Sequence, residues 1–325
     1  MKLGIVGTNF ISDWLTEAAG QVQEVYIHAV YSRKQETGDA FAGKHHIKNV
    51  YTDYEDFLKS DIDAVYIATP TYAHHSQALK AMEHKKHVLC EKVIAVNEEE
   101  VSEMFLCAQK NQAVLLEAMR PDFDPAFNIV KECLPKIGKL RRVMMEYCQY
   151  SSRYDRFRQG EVLNAFNPEL SNAAIMDIGV YCIHTLVKLL GMPEEIKAFS
   201  TKLENGFEGS GIVLMQYQDM IAEAVYSKIT DSVNPSIFMG EEGNILVDGV
   251  AKPQAIEILY RDGRREQIPY TPSENNMVYE LREFARLVDE KCIEHPYIKY
   301  SLDAARVIDE ARRQNGIVFQ ADSVL

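Results

Sequence analysis

The sequence predicts an α/β chain of two domains: a doubly wound parallel sheet over residues 1–120, then an α+β domain with a mostly antiparallel open sheet over 121–325. Two changes of pattern carry this expectation. Up to about residue 117 short β-rich apolar runs alternate with longer segments of helical period, the mark of a parallel sheet wrapped by helices. After Arg120-Pro121 strand patterns follow one another through short turns instead. Length agrees, because 325 residues exceed what one hydrophobic core usually serves.

Six strands are expected in the first domain: Lys2 to Val6, Val25 to Tyr31, Asn49 to Tyr51, Asp63 to Ala68, His87 to Cys90 and Ala113 to Glu117. Ala73 to Glu83 and Asn97 to Lys110 are amphipathic, with Val101, Phe105 and Ala108 recurring at helical spacing. In the second domain Arg142 to Tyr150, Gly211 to Tyr217, Ala222 to Lys228, Asn244 to Val247 and Ala255 to Tyr260 read as strands. A helix over about Ala173 to Leu190 interrupts them, and Asn275 to Lys291 and Ser301 to Gln314 close the chain. An open sheet covered on one side leaves an Ile/Val/Met/Tyr-rich face for another subunit, so a homodimer or homotetramer through this sheet is expected.

Composition narrows the function classes. With 46% hydrophobic and 26% charged residues the chain is an ordinary globular protein. A formal net charge of -13 opposes general affinity for nucleic acid, which needs clustered Lys and Arg. Cys90, Cys107, Cys133, Cys148, Cys182 and Cys292 are scattered, without a CxxC pair, and read as free thiols. No basic-apolar leader and no membrane-length apolar run is expected, which points to the cytoplasm. A metal centre is not expected either, since no His and carboxylate cluster has ligand spacing.

The first strand runs into Gly7-Thr8-Asn9-Phe10-Ile11-Ser12. A dinucleotide fold needs such a tight turn, because a pyrophosphate must approach backbone N–H groups at the start of the next helix. One glycine of a GxGxxG is present; Asn9 tolerates left-handed backbone and Ser12 lets the helix sit close. The second strand ends at Tyr31 and leads into Ser32-Arg33-Lys34, where an NAD-preferring site would place an acid on the ribose hydroxyls. A guanidinium pairs with a 2′-phosphate and a serine hydroxyl donates to it, so NADP(H) is favoured, with NAD(H) second.

Ala68-Thr69-Pro70-Thr71-Tyr72-Ala73-His74 follows the fourth strand, and His87-Val88-Leu89-Cys90-Glu91-Lys92 runs along and past the fifth. Both reach the carboxyl ends of parallel strands, where ligands bind in such sheets. With Asp177-Ile178-Gly179-Val180-Tyr181 they resemble, over nearly the whole chain, the glucose-fructose oxidoreductase/inositol dehydrogenase (Gfo/Idh/MocA) family, in its sugar and dihydrodiol dehydrogenase branch. The resemblance implies a Rossmann domain and an NAD(P)-dependent dehydrogenase acting on CH–OH groups of a sugar, polyol or cyclic diol. It places Lys92, beside Glu91, between cofactor and substrate, and brings Thr69, Pro70, His74 and Glu117 to the cofactor. The family's Lys-Pro bond is typically cis; here Val93 stands in place of the proline. Two other readings of the family fold are a non-catalytic dinucleotide-binding regulator and an NAD-dependent glycosidase or lyase.

The family's second motif pairs an aspartate with a histidine or tyrosine four residues on, here Asp177 and Tyr181, and helical spacing puts both on one face. Oxidising an alcohol requires a base for the hydroxyl proton, and a phenol near pKa ~10 needs a cation to serve at neutral pH. Tyr181 is therefore the expected acid/base, Lys92 the cation and hydroxyl ligand, and Asp177 the substrate-orienting acceptor. His184 lies three residues beyond Tyr181 and, with Arg153 and Tyr154, is expected to face the substrate.

Overall fold

The structure, a computed structural model, describes residues 1–323. The chain divides into two compact units: Met1–Phe123 with Glu274–Lys299, and Asp124–Ser273 with the chain from Tyr300 onward.

In the first unit β1 (Lys2–Val6), α1 (Phe10–Ala19), β2 (Tyr26–Tyr31), α2 (Gln35–His45), β3 (Asn49–Tyr51), α3 (Tyr54–Leu58) and β4 (Ala64–Ile67) lead to α4 (His74–Glu83). Then come β5 (His87–Glu91), α5 (Glu98–Asn111), β6 (Leu115–Ala118) and the short α6 (Arg120–Phe123). The strands form one sheet in the order β3-β2-β1-β4-β5-β6, every neighbouring pair parallel. β4 and β6 are buried at every residue, as a sheet covered on both faces requires. Helix starts are set by side-chain caps: Asn9 for α1, Asp53 for α3 and Asn97 for α5 each accept backbone N–H groups of the first turn.

The second unit holds α7 (Pro125–Cys133), β7 (Leu140–Cys148), α8 (Tyr154–Arg158), a π-helical turn (Ile175–Gly179) and α9 (Val180–Leu190). β8 (Glu195–Lys202), β9 (Glu208–Tyr217), β10 (Met220–Ser227), β11 (Ser236–Gly240), β12 (Gly243–Asp248), β13 (Ala255–Tyr260) and β14 (Arg265–Gln267) follow. They build an eight-stranded sheet, β14-β13-β12-β11-β7-β10-β9-β8, antiparallel except where β7 runs parallel to β10. Val143, Met145, Val213, Met215, Ala222 and Ala224 face the core. The other face carries Met144, Ile212, Leu214, Ile237 and Leu246, none fully buried, with Phe199 67% exposed beside them.

α10 (Met277–Asp289) and α11 (Tyr297–Gln314) close the chain. A single cut at residue 120 is corrected by α10, whose Met277, Leu281, Phe284 and Leu287 share the first unit's core with Leu3, Ile5, Tyr66 and Leu116. Its apolar stripe is legible in sequence; which sheet it joins is not. β8, β11 and β14 were not expected, and the long helix does not start as one: Asp177 lies in the wide turn and Tyr181 in α9.

Candidate active site

The glycine turn is built for close approach. Gly7 has φ +103°, and a Cβ there would lie 2.7 Å from the Ala68 carbonyl oxygen, so only glycine fits without displacing backbone. Asn9 ties the turn together: its amide donates to Ala68 O at 2.7 Å and its Oδ1 accepts from Ile11 N and Ser12 N. Ser12 is buried and its hydroxyl donates to Gly7 O at 2.9 Å. Phe10 is exposed at the tip and Thr8 is partly buried. This cradle fits a pyrophosphate, which needs backbone approach at a helix N-terminus and no bulk at the turn.

At the end of β2, Ser32 hydrogen-bonds Thr37 Oγ1 at 2.6 Å, while Arg33 and Lys34 stand exposed. The residues fit a 2′-phosphate: cations at the surface and no carboxylate in the tripeptide.

His74 is buried, and its ring spans two loops, Nδ1 at 3.1 Å from Val93 O and Nε2 at 2.8 Å from Thr69 O. Burial pushes its pKa below the ordinary histidine value, so it is neutral at pH 7. Neutral, the ring has one N–H, so it donates to one of these two carbonyls and only packs against the other, between the Thr69-Pro70 turn and the loop after β5. Thr69 itself donates to Gln77 at 2.7 Å. Lys92 is the partly exposed residue in an otherwise buried run from Glu91 to Val96, and the Lys92–Val93 peptide is cis. Glu117 is buried and accepts the Ile94 N–H at 3.0 Å, which pins the same loop from β6.

Glu91 is a buried carboxyl that accepts from the Tyr66 hydroxyl at 2.5 Å and from the Lys92 N–H at 3.2 Å. Burial pushes its pKa up. Glu280 on α10 is fully buried, and among the described residues neither of its oxygens meets a hydrogen-bond partner. Burial, and then the Glu91 charge, raise it well above the carboxylate range, so it is held as a neutral acid. Sequence reasoning passed over Glu280; it occupies an apolar-face position of a helix whose neighbours Met277, Leu281 and Phe284 are core, which is the signal available.

In the second unit Asp177 sits on the π turn and its Oδ2 lies 2.7 Å from Lys228 Nζ. Lys228 is 3% exposed, donates to Ala165 O at 2.6 Å, and lies over the rings of Phe166 and Phe207. Sequence reasoning missed it as a site residue. The period-2 face of Ala222, Ala224 and Tyr226 continues to Lys228, so the pattern puts a lysine on a buried face. Tyr181 is buried on α9, edge-on to Tyr147 with ring centroids 5.7 Å apart. The expected α-helical turn from Asp177 to Tyr181 is corrected to a wider one. The turn's last residue, Gly179, admits the Tyr226 ring from β10, against which a Cβ would lie 2.9 Å away, and π turns of this kind concentrate at functional sites.

His184 is buried on α9. Tyr154 stacks on Phe157 and Phe166, at 6.1 and 5.6 Å between centroids, and meets Tyr150 edge-on. Arg153 precedes it as the exposed N-cap residue of α8. Among the described residues no group of three His, Cys, Asp or Glu could hold a metal ion.

Comparison with known proteins gives two family matches. Residues 1–119 match the model of an oxidoreductase family with an NAD-binding Rossmann fold, GFO/IDH/MocA, and residues 135–246 match a GFO/IDH/MocA C-terminal domain. The chain is 45% identical over 325 residues, 99% of each chain, to the scyllo-inositol 2-dehydrogenase (NADP(+)) IolU of Bacillus subtilis. It is 28% identical, again over 99% of each chain, to a trans-1,2-dihydrobenzene-1,2-diol dehydrogenase of Danio rerio. In fold it is similar to KijD10, a 3-ketoreductase from Actinomadura kijaniata solved with NADP and TDP-benzene, with a TM-score of 0.86, 23% identity and coverage of 97% and 98% of the two chains.

Proposed function

Because this chain belongs to the GFO/IDH/MocA family of oxidoreductases, we propose that it moves hydride between NADP(H) and a hydroxyl-bearing carbon of a sugar, polyol or cyclic diol. The observation that carries the reading is the end of β2, where Arg33 and Lys34 are exposed in place of the acid that an NAD site uses. The relatives named above support the substrate class.

The nicotinamide, when bound, supplies the hydride chemistry. The Gly7 turn holds the pyrophosphate with Thr8, Asn9, Phe10 and Ile11, and Ser32 and Arg33 hold the 2′-phosphate. Thr69 and Pro70 line the cofactor, and His74, Glu91 and Glu117 border it while keeping the loop around Lys92 in place. Lys92 provides positive charge for a developing alkoxide. Tyr181 takes or returns the hydroxyl proton. Asp177, fixed by Lys228, accepts a substrate hydroxyl, and Arg153, Tyr154 and His184 complete the substrate contacts.

The protein acts in the cytoplasm as a homo-oligomer in this reading. Six free cysteines suit a reducing compartment, and the apolar outer face of the second sheet suits a partner copy. A screen of polyols, cyclic diols and sugars by cofactor absorbance, with wild type, Lys92→Met and Tyr181→Phe, tests the activity. NADP+ reduction with scyllo-inositol or a related polyol that both variants lose by about a hundredfold or more supports it; turnover unchanged in both removes the assigned chemistry.

A further inference from the structure

Glu208 opens β9 as a buried carboxylate that the chemistry above does not use. Its Oε2 accepts the Ile175 N–H at 2.7 Å and its Oε1 accepts the Tyr226 hydroxyl at 3.0 Å. Ile175 is the first residue of the π turn that carries Asp177, and Gly179 is the last. Tyr226 occupies space that only glycines leave: a Cβ at Gly179 would lie 2.9 Å from its ring, and one at Gly211 would lie 2.4 Å from its hydroxyl oxygen. One carboxylate thus grips the start of the turn directly and its end through Tyr226. Two residues further along the chain, Lys228 holds Asp177 itself.

We infer that Glu208 is a positioning residue for Asp177, setting the wide turn through Ile175 and Tyr226. The inference rests on Asp177 meeting substrate. Burial raises the Glu208 pKa to about 7, against lowering by the Ile175 N–H, the Tyr226 hydroxyl, the Ser200 hydroxyl and Lys202. Its facing groups are therefore Tyr226 from β10, Ser200 and Lys202 from β8, and the backbone of the turn. As an anion Glu208 accepts both hydrogen bonds. Protonated, it must donate one hydrogen bond, to the Tyr226 or the Ser200 hydroxyl, and no longer accepts at that oxygen. Each gain or loss of that proton rearranges the grip on the turn.

Hydrogen exchange of the full-length protein, read by mass spectrometry over residues 175–179 and corrected for intrinsic rates, tests this. Tyr226→Phe should open the turn about tenfold more often while peptides from β12 and β13 stay unchanged. Wild type should change protection there between about pH 6 and pH 8, and Glu208→Gln should not. With scyllo-inositol and NADP+ as probe, Tyr226→Phe should lower kcat about tenfold with the NADPH dissociation constant unchanged. Exchange over the turn within about twofold of wild type in both variants, with no pH step in wild type, overturns the inference. Asp177→Asn, measured alongside, separates the two claims: normal turnover in it removes the substrate role of Asp177 and with it the catalytic half of the inference. The exchange data still decide whether Glu208 holds the turn.

Discussion

Lys228 Nζ and Asp177 Oδ2 are 2.7 Å apart, and the two partners are unequally buried, the lysine side chain 4% and the aspartate 38% exposed. The asymmetry makes the pair directional. Asp177→Asn removes the carboxylate 2.7 Å from a buried ammonium and should cost about 3 kcal/mol of stability. Lys228→Met leaves a carboxylate that water reaches, and should cost about 1 kcal/mol or less. Urea midpoints of the two variants check the order; a larger loss in Lys228→Met would remove the argument.

Gly7→Ala sets a side chain at φ +103° and 2.7 Å from a backbone oxygen. It should cost about 2 kcal/mol in folding and, if the proposed role of this turn holds, weaken cofactor binding in whatever protein folds, because the strain lies in the turn assigned to the pyrophosphate. Thermal melts with and without NADPH measure both effects.

How far the sequence reaches can be judged at this turn and at Asp177. β1, β4, β5 and β6 are legible because each is a largely buried, mostly apolar run between punctuating residues, and β1 and β3 lie where the pattern puts them. The Ser32-Arg33 step just past β2 is legible because β2 closes on the buried Ala29-Val30 pair. What is not legible depends on contacts distant in sequence. α10 joins the first unit through its apolar stripe, and a local pattern does not say which sheet a stripe meets. β8 is not legible because Glu195, Lys197 and Lys202 make it largely polar, and β11 because Ser236–Gly240 is only five residues long between Pro235 and a turn. His74 reads as a cofactor neighbour in the motif; that its ring lies buried between the carbonyls of Thr69 and Val93 is seen only when the two loops are assembled. Lys228 and Glu208 acquire their roles from a turn thirty to fifty residues earlier, a relation seen only when the sheet is assembled.

His74 gives a pH prediction. Its folded pKa is lowered by burial, so the folded state holds fewer protons than the unfolded one. The neutral ring's contribution is full above the unfolded value of about 6.5 and is lost as pH falls through the folded value. Wild type should therefore lose stability relative to His74→Gln as pH drops below about 6.5. Urea midpoints across that range test it, and parallel curves would contradict it.

Glu208 has the opposite sign. Its folded pKa of about 7 exceeds the ordinary carboxyl value, so stability from the neutral acid is full below about 4.5 and lost as pH rises through 7. The loss amounts to roughly 3 kcal/mol at most. Glu208→Gln, which cannot ionise, should gain on wild type between about pH 5 and pH 8.

The outer face of the second sheet predicts assembly. Leu214→Glu and Leu246→Glu together place charge among Met144, Ile212 and Ile237 and should shift the protein toward monomer in sedimentation, with the far-UV spectrum unchanged.

The measurement closest to the central claim is a fluorescence titration of the purified protein with NADPH and, separately, NADH, in wild type and Arg33→Ala. The account predicts that wild type prefers NADPH and that the variant loses about tenfold or more of its NADPH affinity while NADH binding is unchanged. Equal binding of both cofactors in wild type, or an Arg33→Ala protein that keeps the NADPH preference, would contradict it.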